Sequence, residues 1–184
     1  MSEVQTSFPA TLASSNLSPA AGQNGAAMLR TCLVVSGSTH RALQFAEAAR
    51  QEHWRTIVCG NAEDAARNAV RHRIQLALVD LESAAAAEQI TFCRLVEQLA
   101  GRNGPLLVVC GRPNDDAGEV WSRRLGVWMF LPGINDRSNI GMLYGQARCV
   151  VEKLENAASR SVHGTGAVNG TNGNGAAHGM RSRH

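Results

Sequence analysis

Short apolar runs alternate with longer amphipathic segments through the middle of the chain. The apolar runs are too short for isolated helices, and Gly, Pro or polar residues bound them, as is typical of strands buried on both faces. The five predicted strands are Thr31–Val35, Trp54–Cys59, Ile74–Asp80, Pro105–Cys110 and Val127–Leu131. The five predicted helices are His40–His53, Asn61–Arg73, Glu88–Ala100, Asp116–Gly126 and Arg137–Glu155. This alternation predicts an α/β fold, a doubly wound five-stranded parallel sheet with helices on both faces.

The third predicted strand ends in an acidic residue, Asp80. Open α/β sheets bind ligands and carry out chemistry at the carboxyl ends of their parallel strands. A carboxylate at that edge is therefore the first candidate for a functional residue. A structural alternative is that Asp80 only caps the turn that follows the strand.

The two ends of the chain differ in composition from the middle. Residues 1–30 are rich in Ser, Ala, Pro and Gln, and residues 157–184 are dominated by Gly, Asn, Ala and Ser. Such segments carry too little apolar surface to form a core, so both are predicted to be disordered. The predicted folded domain is residues 31–156.

Charge and hydropathy exclude several classes of protein. Residues 31–156 hold 14 basic and 14 acidic side chains, so the formal net charge of +3 comes from the ends, and no nucleic-acid partner is expected. The sequence contains no 18-residue apolar run and no secretory signal, which favours a cytoplasmic protein without membrane contact. The five cysteines are predicted to be reduced core thiols: Cys32, Cys59, Cys93, Cys110 and Cys149.

The order of the elements, together with three residues, resembles the receiver domain of bacterial two-component response regulators. Asp80 closes the third strand, Gly126 precedes a short fifth strand, and Pro132 follows it. For residues 31–156 the resemblance implies a flavodoxin-like, receiver-like (βα)5 fold. It also implies that Asp80 is the phosphoacceptor for a histidine kinase, with Mg²⁺ bound beside it.

The chain departs from the receiver pattern at the positions that assist the phosphoacceptor. The family has two acidic residues at the end of strand one, where this chain has Ser36 and Gly37. The family's Ser or Thr at the end of strand four is replaced by Cys110, which Gly111 follows, and its Lys is replaced by Leu131. These replacements imply a degenerate pseudo-receiver in which phosphorylation is poorly supported.

Binding of Mg²⁺ is expected to be weak for the same reason. Asp80 is the one metal ligand that the resemblance retains, and one or two carboxylates with phosphate oxygens and waters are enough to hold Mg²⁺. Asp115 and Asp116 follow strand four and offer a second carboxylate. Capping of the fourth helix is the simpler role, with Asp116 and Glu119 forming a capping box.

A protein-binding surface is predicted on the fourth helix, the fifth strand and the last helix, where receivers commonly carry their output. Its candidate residues are of types enriched at interfaces, with Trp128 aligned with the family's switch aromatic: Trp121, Arg123, Arg124, Trp128 and Tyr144. The expected partner is a histidine kinase, another signalling protein, or a second copy in a homodimer. A solvated basic helix end is the alternative for the two arginines.

These observations favour a stand-alone, non-enzymatic signalling module that acts by protein binding in a two-component phosphorelay pathway. One alternative is a small nucleotide- or phosphate-binding flavodoxin-like protein that uses Ser36–Thr39 as an anion site. Another is a structural scaffold with disordered arms. Nucleotide binding would favour the first, and loss of partners on deletion of the arms would favour the second.

Overall fold

The computed structural model describes residues 30–101, 104–134 and 137–163, and it contains five strands that alternate with five helices. The strands are β1 (Thr31–Ser36), β2 (Arg55–Cys59), β3 (Leu76–Asp80), β4 (Leu106–Gly111) and β5 (Met129–Pro132). The helices are α1 (Thr39–Gln51), α2 (Ala62–Arg71), α3 (Ala86–Leu99), α4 (Asp116–Arg124) and α5 (Arg137–His163).

All strands pair in parallel in one sheet of order β2-β1-β3-β4-β5, which confirms the predicted fold class. The register aligns the ends of four strands. Ser36 pairs with Asp80, Asp80 with Cys110, and Cys110 with Leu131. Asp80 and three residues of the predicted pocket therefore lie in one row across the carboxyl edge of the sheet. That pocket comprises the residues at and beside the positions that assist the phosphoacceptor: Ser36, Gly37, Cys110, Gly111 and Leu131.

The core has two layers, one on each face of the sheet. Helices α1 and α5 cover one layer, in which Trp54, Tyr144 and Phe45 are the largest buried side chains. Helices α2, α3 and α4 cover the other, which is built around Phe92, Leu95 and Val96. The side chains of β1 and β3 alternate between the layers, so these strands are apolar along almost their whole length.

Several predicted boundaries are wrong. Strand β5 begins two residues later than predicted, and the Val127 amide instead donates to the Ser122 carbonyl at the end of α4. Helix α5 continues past the predicted domain end at residue 156 to His163, through a segment that begins with two alanines and contains no Gly or Pro. Leu43 of α1 and Leu154 of α5 are mostly exposed, although both stand at the helical spacing of the apolar positions in their helices. Residues 1–29 and 164–184, which are predicted to be disordered, lie outside the described residues.

The cysteines are unpaired, but they do not all lie in the core. Cys32, Cys59 and Cys110 are buried, whereas Cys93 is half-buried and Cys149 is exposed on α5. The prediction of five core thiols is therefore wrong for Cys149. Within the described part of the chain, no helix is both long and apolar enough to span a membrane.

Candidate functional site

Asp80 is the last residue of β3, and its side chain is 0% exposed. The carboxylate accepts a hydrogen bond of 2.8 Å at Oδ2 from the hydroxyl of Ser36, which ends the neighbouring strand β1. A charged group without contact to solvent must be paired and hydrogen-bonded, or it costs several kcal/mol. A single hydroxyl does not meet that requirement.

The cation that pairs with Asp80 is Arg41, in the first turn of α1. Its Nε donates to Asp80 Oδ2 at 2.8 Å, and its Nη2 donates to Oδ1 at 3.2 Å. This is the bidentate geometry in which guanidinium–carboxylate pairs are strongest. Ser38 caps α1 by accepting from the Arg41 amide, which fixes the start of the helix and the place of Arg41 in it.

The same guanidinium contacts two further segments. Arg41 Nη2 lies 2.9 Å from Glu82 Oε2 in the β3–α3 loop, and Nη1 donates to the Ile134 carbonyl at 3.4 Å in the β5–α5 loop. Glu82 Oε2 has no well-directed hydrogen bond, so its attraction to Arg41 is mainly electrostatic. Arg41 thus joins α1 to β3 and to both loops at the carboxyl edge.

The environment of Arg41 holds it in the charged form. Burial disfavours the guanidinium charge, but the hydrogen bond to Asp80 and the charges of Asp80 and Glu82 outweigh this, so that the pKa of Arg41 is raised above its ordinary value. The Arg41 side chain is only 17% exposed, which limits screening of the pair by solvent. One cation therefore serves two carboxylates inside the protein.

Two glycines next to the row of strand ends are in close contact with other segments of the chain. A Cβ on Gly37 would lie 2.9 Å from the Ser83 carbonyl oxygen, and Ser83 Oγ lies 2.9 Å from Ser36 Oγ. A Cβ on Gly111 would overlap the ring of Phe130. Gly37 and Gly111, which were predicted pocket residues, are thus positions at which other segments of the chain approach the backbone closely.

The other two predicted pocket residues add no charge to the site. Burial, and then the charge of Asp80, raises the pKa of the Cys110 thiol well above its ordinary value, so this group stays neutral. Leu131 is half-buried and packs against the layer under α1 and α5. The chemistry of the site therefore rests on Asp80, Arg41, Glu82 and the hydroxyl groups of Ser36 and Ser83.

These residues do not fit a resident Mg²⁺ ion. Both Asp80 oxygens contact the Arg41 guanidinium, and Glu82 is drawn to the same cation, so a divalent ion would have to stand beside a fixed positive charge. Across residues 30–101, 104–134 and 137–163, no group of three or more His, Cys, Asp or Glu side chains is arranged to hold a metal. Asp115 caps α4 by accepting from the Gly118 amide at 2.9 Å. The capping role is thus correct, but it belongs to Asp115 and not to Asp116.

The hydroxyl groups proposed for an anion site are already engaged. Ser36 Oγ binds Asp80 and Ser83, and Ser38 Oγ accepts from the Arg41 amide. Two carboxylates lie next to them, which is unfavourable for a phosphate. No feature of this geometry favours the nucleotide- or phosphate-binding alternative.

The predicted interface residues divide between surface and core. Arg123 and Arg124 are exposed at the end of α4, where Arg123 pairs with Glu119 at 2.5 Å. The two tryptophans are half-buried: Trp121 packs against the core layer under α2, α3 and α4, and Trp128 against the layer under α1 and α5. Tyr144 is 0% exposed, so its assignment to an exposed face is wrong. Its ring fills the core beneath α5, and burial, and then Cys32, raises the pKa of its hydroxyl.

Arg41 is the residue of this candidate site that sequence reasoning missed. The available signal was indirect, because a buried carboxylate needs a cation and the chain lacks the lysine of the receiver pattern. Arg41 lies one turn after the end of β1, close to the edge at which Asp80 was expected. Arg112 and His40 lie in comparable positions, so the sequence alone does not distinguish among them.

Comparison with known proteins identifies the fold of the domain. No protein-family model matches the sequence, and no curated protein matches it. Among solved structures, a CheY-like receiver domain protein from Methanospirillum hungatei JF-1 matches with a TM-score of 0.58 at 15% identity, over 70% of this chain and 98% of that one. The domain has the receiver fold.

Two further structures with this fold give the same result. The receiver domain of a Luxo repressor protein from Vibrio parahaemolyticus matches with a TM-score of 0.60 at 16% identity, over 71% of this chain and 98% of that one. NtrX from Brucella abortus matches with a TM-score of 0.61 at 14% identity, over 75% of this chain and 31% of that longer one. At such low sequence identities, these structural matches establish the receiver fold alone.

Proposed function

We propose that this chain is a receiver-like signalling module of the cytoplasm that acts by binding another protein and does not depend on phosphorylation of Asp80. The observation that carries the proposal is the bidentate pairing of the fully buried Asp80 carboxylate with Arg41. In this role the domain is a pseudo-receiver and not an enzyme.

The chemistry of phosphoryl transfer supports this reading. A carboxylate that accepts a phosphoryl group must reach the phosphorus, and cations and donors must neutralise the developing charge. Asp80 is 0% exposed, and its two oxygens already serve Arg41 and Ser36. Ser36, Cys110 and Leu131 offer no substitute for the metal-binding acids, the hydroxyl or the lysine of an active receiver.

Arg41 also provides a reason for a single conformational state. In a switching receiver, a new charge at the phosphoacceptor reorders nearby loops. Here one guanidinium already links Asp80 to Glu82 in the β3–α3 loop and to Ile134 in the β5–α5 loop. The Arg41 guanidinium thus holds the β3–α3 and β5–α5 loops in place, as the added phosphoryl charge does in a switching receiver.

The surface that we propose for the protein partner lies on α4, β5 and α5. It combines the exposed Arg123 and Arg124 with a groove of about 490 Å³ beside α5, named here the α5 groove. The α5 groove is lined by Trp128, Met142, Gly145, Gln146, Cys149, Val150 and Lys153. The aromatic residue and the apolar groups of the groove, and the two exposed arginines of α4, are residue types that are frequent at binding interfaces. The partner is a protein of a two-component pathway, a histidine kinase included, or a second copy of the chain.

The experiment that tests the proposal separates the Asp80 site from the binding surface. Affinity for the partner, or for a second copy, is measured for wild type, Asp80→Asn and Met142→Ser/Arg124→Ala. Met142 is 61% exposed, so the double change leaves the core intact. Ile90→Ser is the matched control, because Ile90 is 64% exposed on α3 at a distance from this surface.

We expect Asp80→Asn and Ile90→Ser to bind as wild type, and Met142→Ser/Arg124→Ala to bind roughly tenfold more weakly or worse. The proposal fails if Asp80→Asn abolishes binding while the surface variant keeps it.

A further inference from the structure

A second groove, separate from the Asp80 site, lies between α2 and α3 at the opposite edge of the sheet. This α2–α3 groove has a volume of about 510 Å³, within the range of small-molecule and peptide pockets. Its apolar lining includes Ala69, Val70, Ile74, Leu95, Leu99 and Pro105. Leu95 and Leu99 form a buried floor, whereas Val70 at the rim is 89% exposed. An apolar groove with an exposed β-branched side chain at its rim is the kind of surface at which other chain segments dock.

The chain enters the fold directly beside this groove. The Thr31 amide donates to Gln75 Oε1 at 2.8 Å, and the Gln75 amide donates to the Thr31 carbonyl at 3.0 Å. Gln75 follows Ile74, which lines the groove. Arg30 is held at this edge by ion pairs with Glu152 and Glu155 of α5. Residues 1–29 therefore begin their path within a few residues of the groove.

Composition decides between the two terminal segments as occupants. Residues 164–184 contain only Val168 and Met180 as large apolar residues. Residues 1–29 contain seven, among them the one aromatic residue of either segment: Met1, Val4, Phe8, Leu12, Leu17, Met28 and Leu29. A segment without a core of its own can still dock a few apolar side chains into a preformed groove.

Reach does not limit this arrangement. Extended chain spans roughly 3.3–3.6 Å per residue, so the 18 residues from Leu12 to Leu29 reach about 60 Å, more than the width of a domain of this size. Docking within one molecule also has a high effective concentration, so that even a weak contact is populated.

We propose that the N-terminal segment docks in the α2–α3 groove of its own chain, with Phe8 and Leu12 as the apolar anchors. The segment then covers Val70 and the floor formed by Leu95 and Leu99. This would be a second interaction surface, independent of Asp80 and of the α5 groove.

Hydrogen exchange of the full-length chain, read by mass spectrometry, tests this proposal. Wild type is compared with Phe8→Ser/Leu12→Ser, with Val70→Asp at the groove rim, and with Val168→Ser/Met180→Ser as the matched control in the other terminal segment. Circular dichroism confirms that each variant is folded, which is expected because Val70 is 89% exposed and the other changes lie outside the domain.

We expect the groove segments 66–74 and 95–101 to exchange roughly tenfold faster in Phe8→Ser/Leu12→Ser than in wild type, because their cover is lost. Residues 5–18 should lose protection in Val70→Asp, and the control should match wild type. Equal exchange of the groove in wild type and Phe8→Ser/Leu12→Ser overturns the proposal. Protection that disappears on dilution also overturns it, because that result identifies a second copy as the occupant.

Discussion

At the scale of single residues, the pairing of Asp80 with Arg41 determines what this site can do. A buried carboxylate is tolerated only with a cation and with hydrogen bonds that satisfy its oxygens. Arg41 supplies two of these bonds and Ser36 a third. The two partners are not equivalent. If Asp80 is removed, Arg41 still pairs with Glu82. If Arg41 is removed, the Asp80 carboxylate keeps only the hydrogen bond from the Ser36 hydroxyl.

We predict that Arg41→Ala lowers the free energy of unfolding by about 3 kcal/mol, because it leaves a buried carboxylate unpaired. Asp80→Asn should cost less, and the double variant should be more stable than Arg41→Ala alone. Urea denaturation measures each value. The control is Arg123→Ala, whose side chain is 76% exposed and whose loss should cost less than about 1 kcal/mol. An Arg41→Ala variant as stable as this control would contradict the pairing.

The thiols provide a second prediction at this scale. Burial raises the pKa of Cys32 and of Cys110 well above the ordinary value, so neither forms a thiolate near neutral pH. Iodoacetamide at mildly alkaline pH should therefore modify the exposed Cys149 first and leave Cys32 and Cys110 intact until the protein unfolds. Peptide mapping by mass spectrometry follows each site. Equal rates at Cys110 and Cys149 would show that the Asp80 site is open to solvent.

At the scale of elements, the β3–α3 loop packs against Gly37, the residue that follows β1, next to the Asp80 site. We predict that Gly37→Ala destabilises the fold by about 1–3 kcal/mol, because the new methyl group would meet the Ser83 carbonyl at 2.9 Å. Gly141→Ala in α5 is the matched control, since no described atom outside its own helix turn lies within 4 Å of the added carbon. That change should stabilise the helix by about 0.5–1 kcal/mol. Thermal unfolding compares the two variants, and a Gly37→Ala protein as stable as wild type would mean that the loop is not closed.

The elements also show how far the sequence allowed prediction. Strands β1, β3 and β4 are buried on both faces, so their unbroken apolar runs identified them within one or two residues. The start of β5 was predicted two residues too early, because Val127 is apolar but its amide donates to the Ser122 carbonyl at the end of α4. Asp80 was located by the strand that it ends. Arg41 was missed because its contact with Asp80 spans 39 positions and no local pattern encodes it.

At the scale of the whole molecule, the carboxyl edge of the sheet carries the Asp80 site, and the opposite edge carries the α2–α3 groove and the ion pairs of Arg30. The parallel topology causes this separation, because every strand ends at one edge and every helix returns the chain to the other. A change at the Asp80 site can therefore be tested without disturbing the groove.

The most direct test of a phosphorylation-independent receiver fold is the intact mass of the protein after incubation with acetyl phosphate and Mg²⁺. Wild type and Asp80→Asn are treated in parallel, with a phosphorylatable receiver domain as the positive control for the reagent. Because the buried Asp80 carboxylate is paired with Arg41 through both of its oxygens, we expect the masses of wild type and Asp80→Asn to stay unchanged while the control gains a phosphoryl group. A phosphoryl mass on wild type that Asp80→Asn lacks would show that the site is chemically competent and would contradict the proposed function.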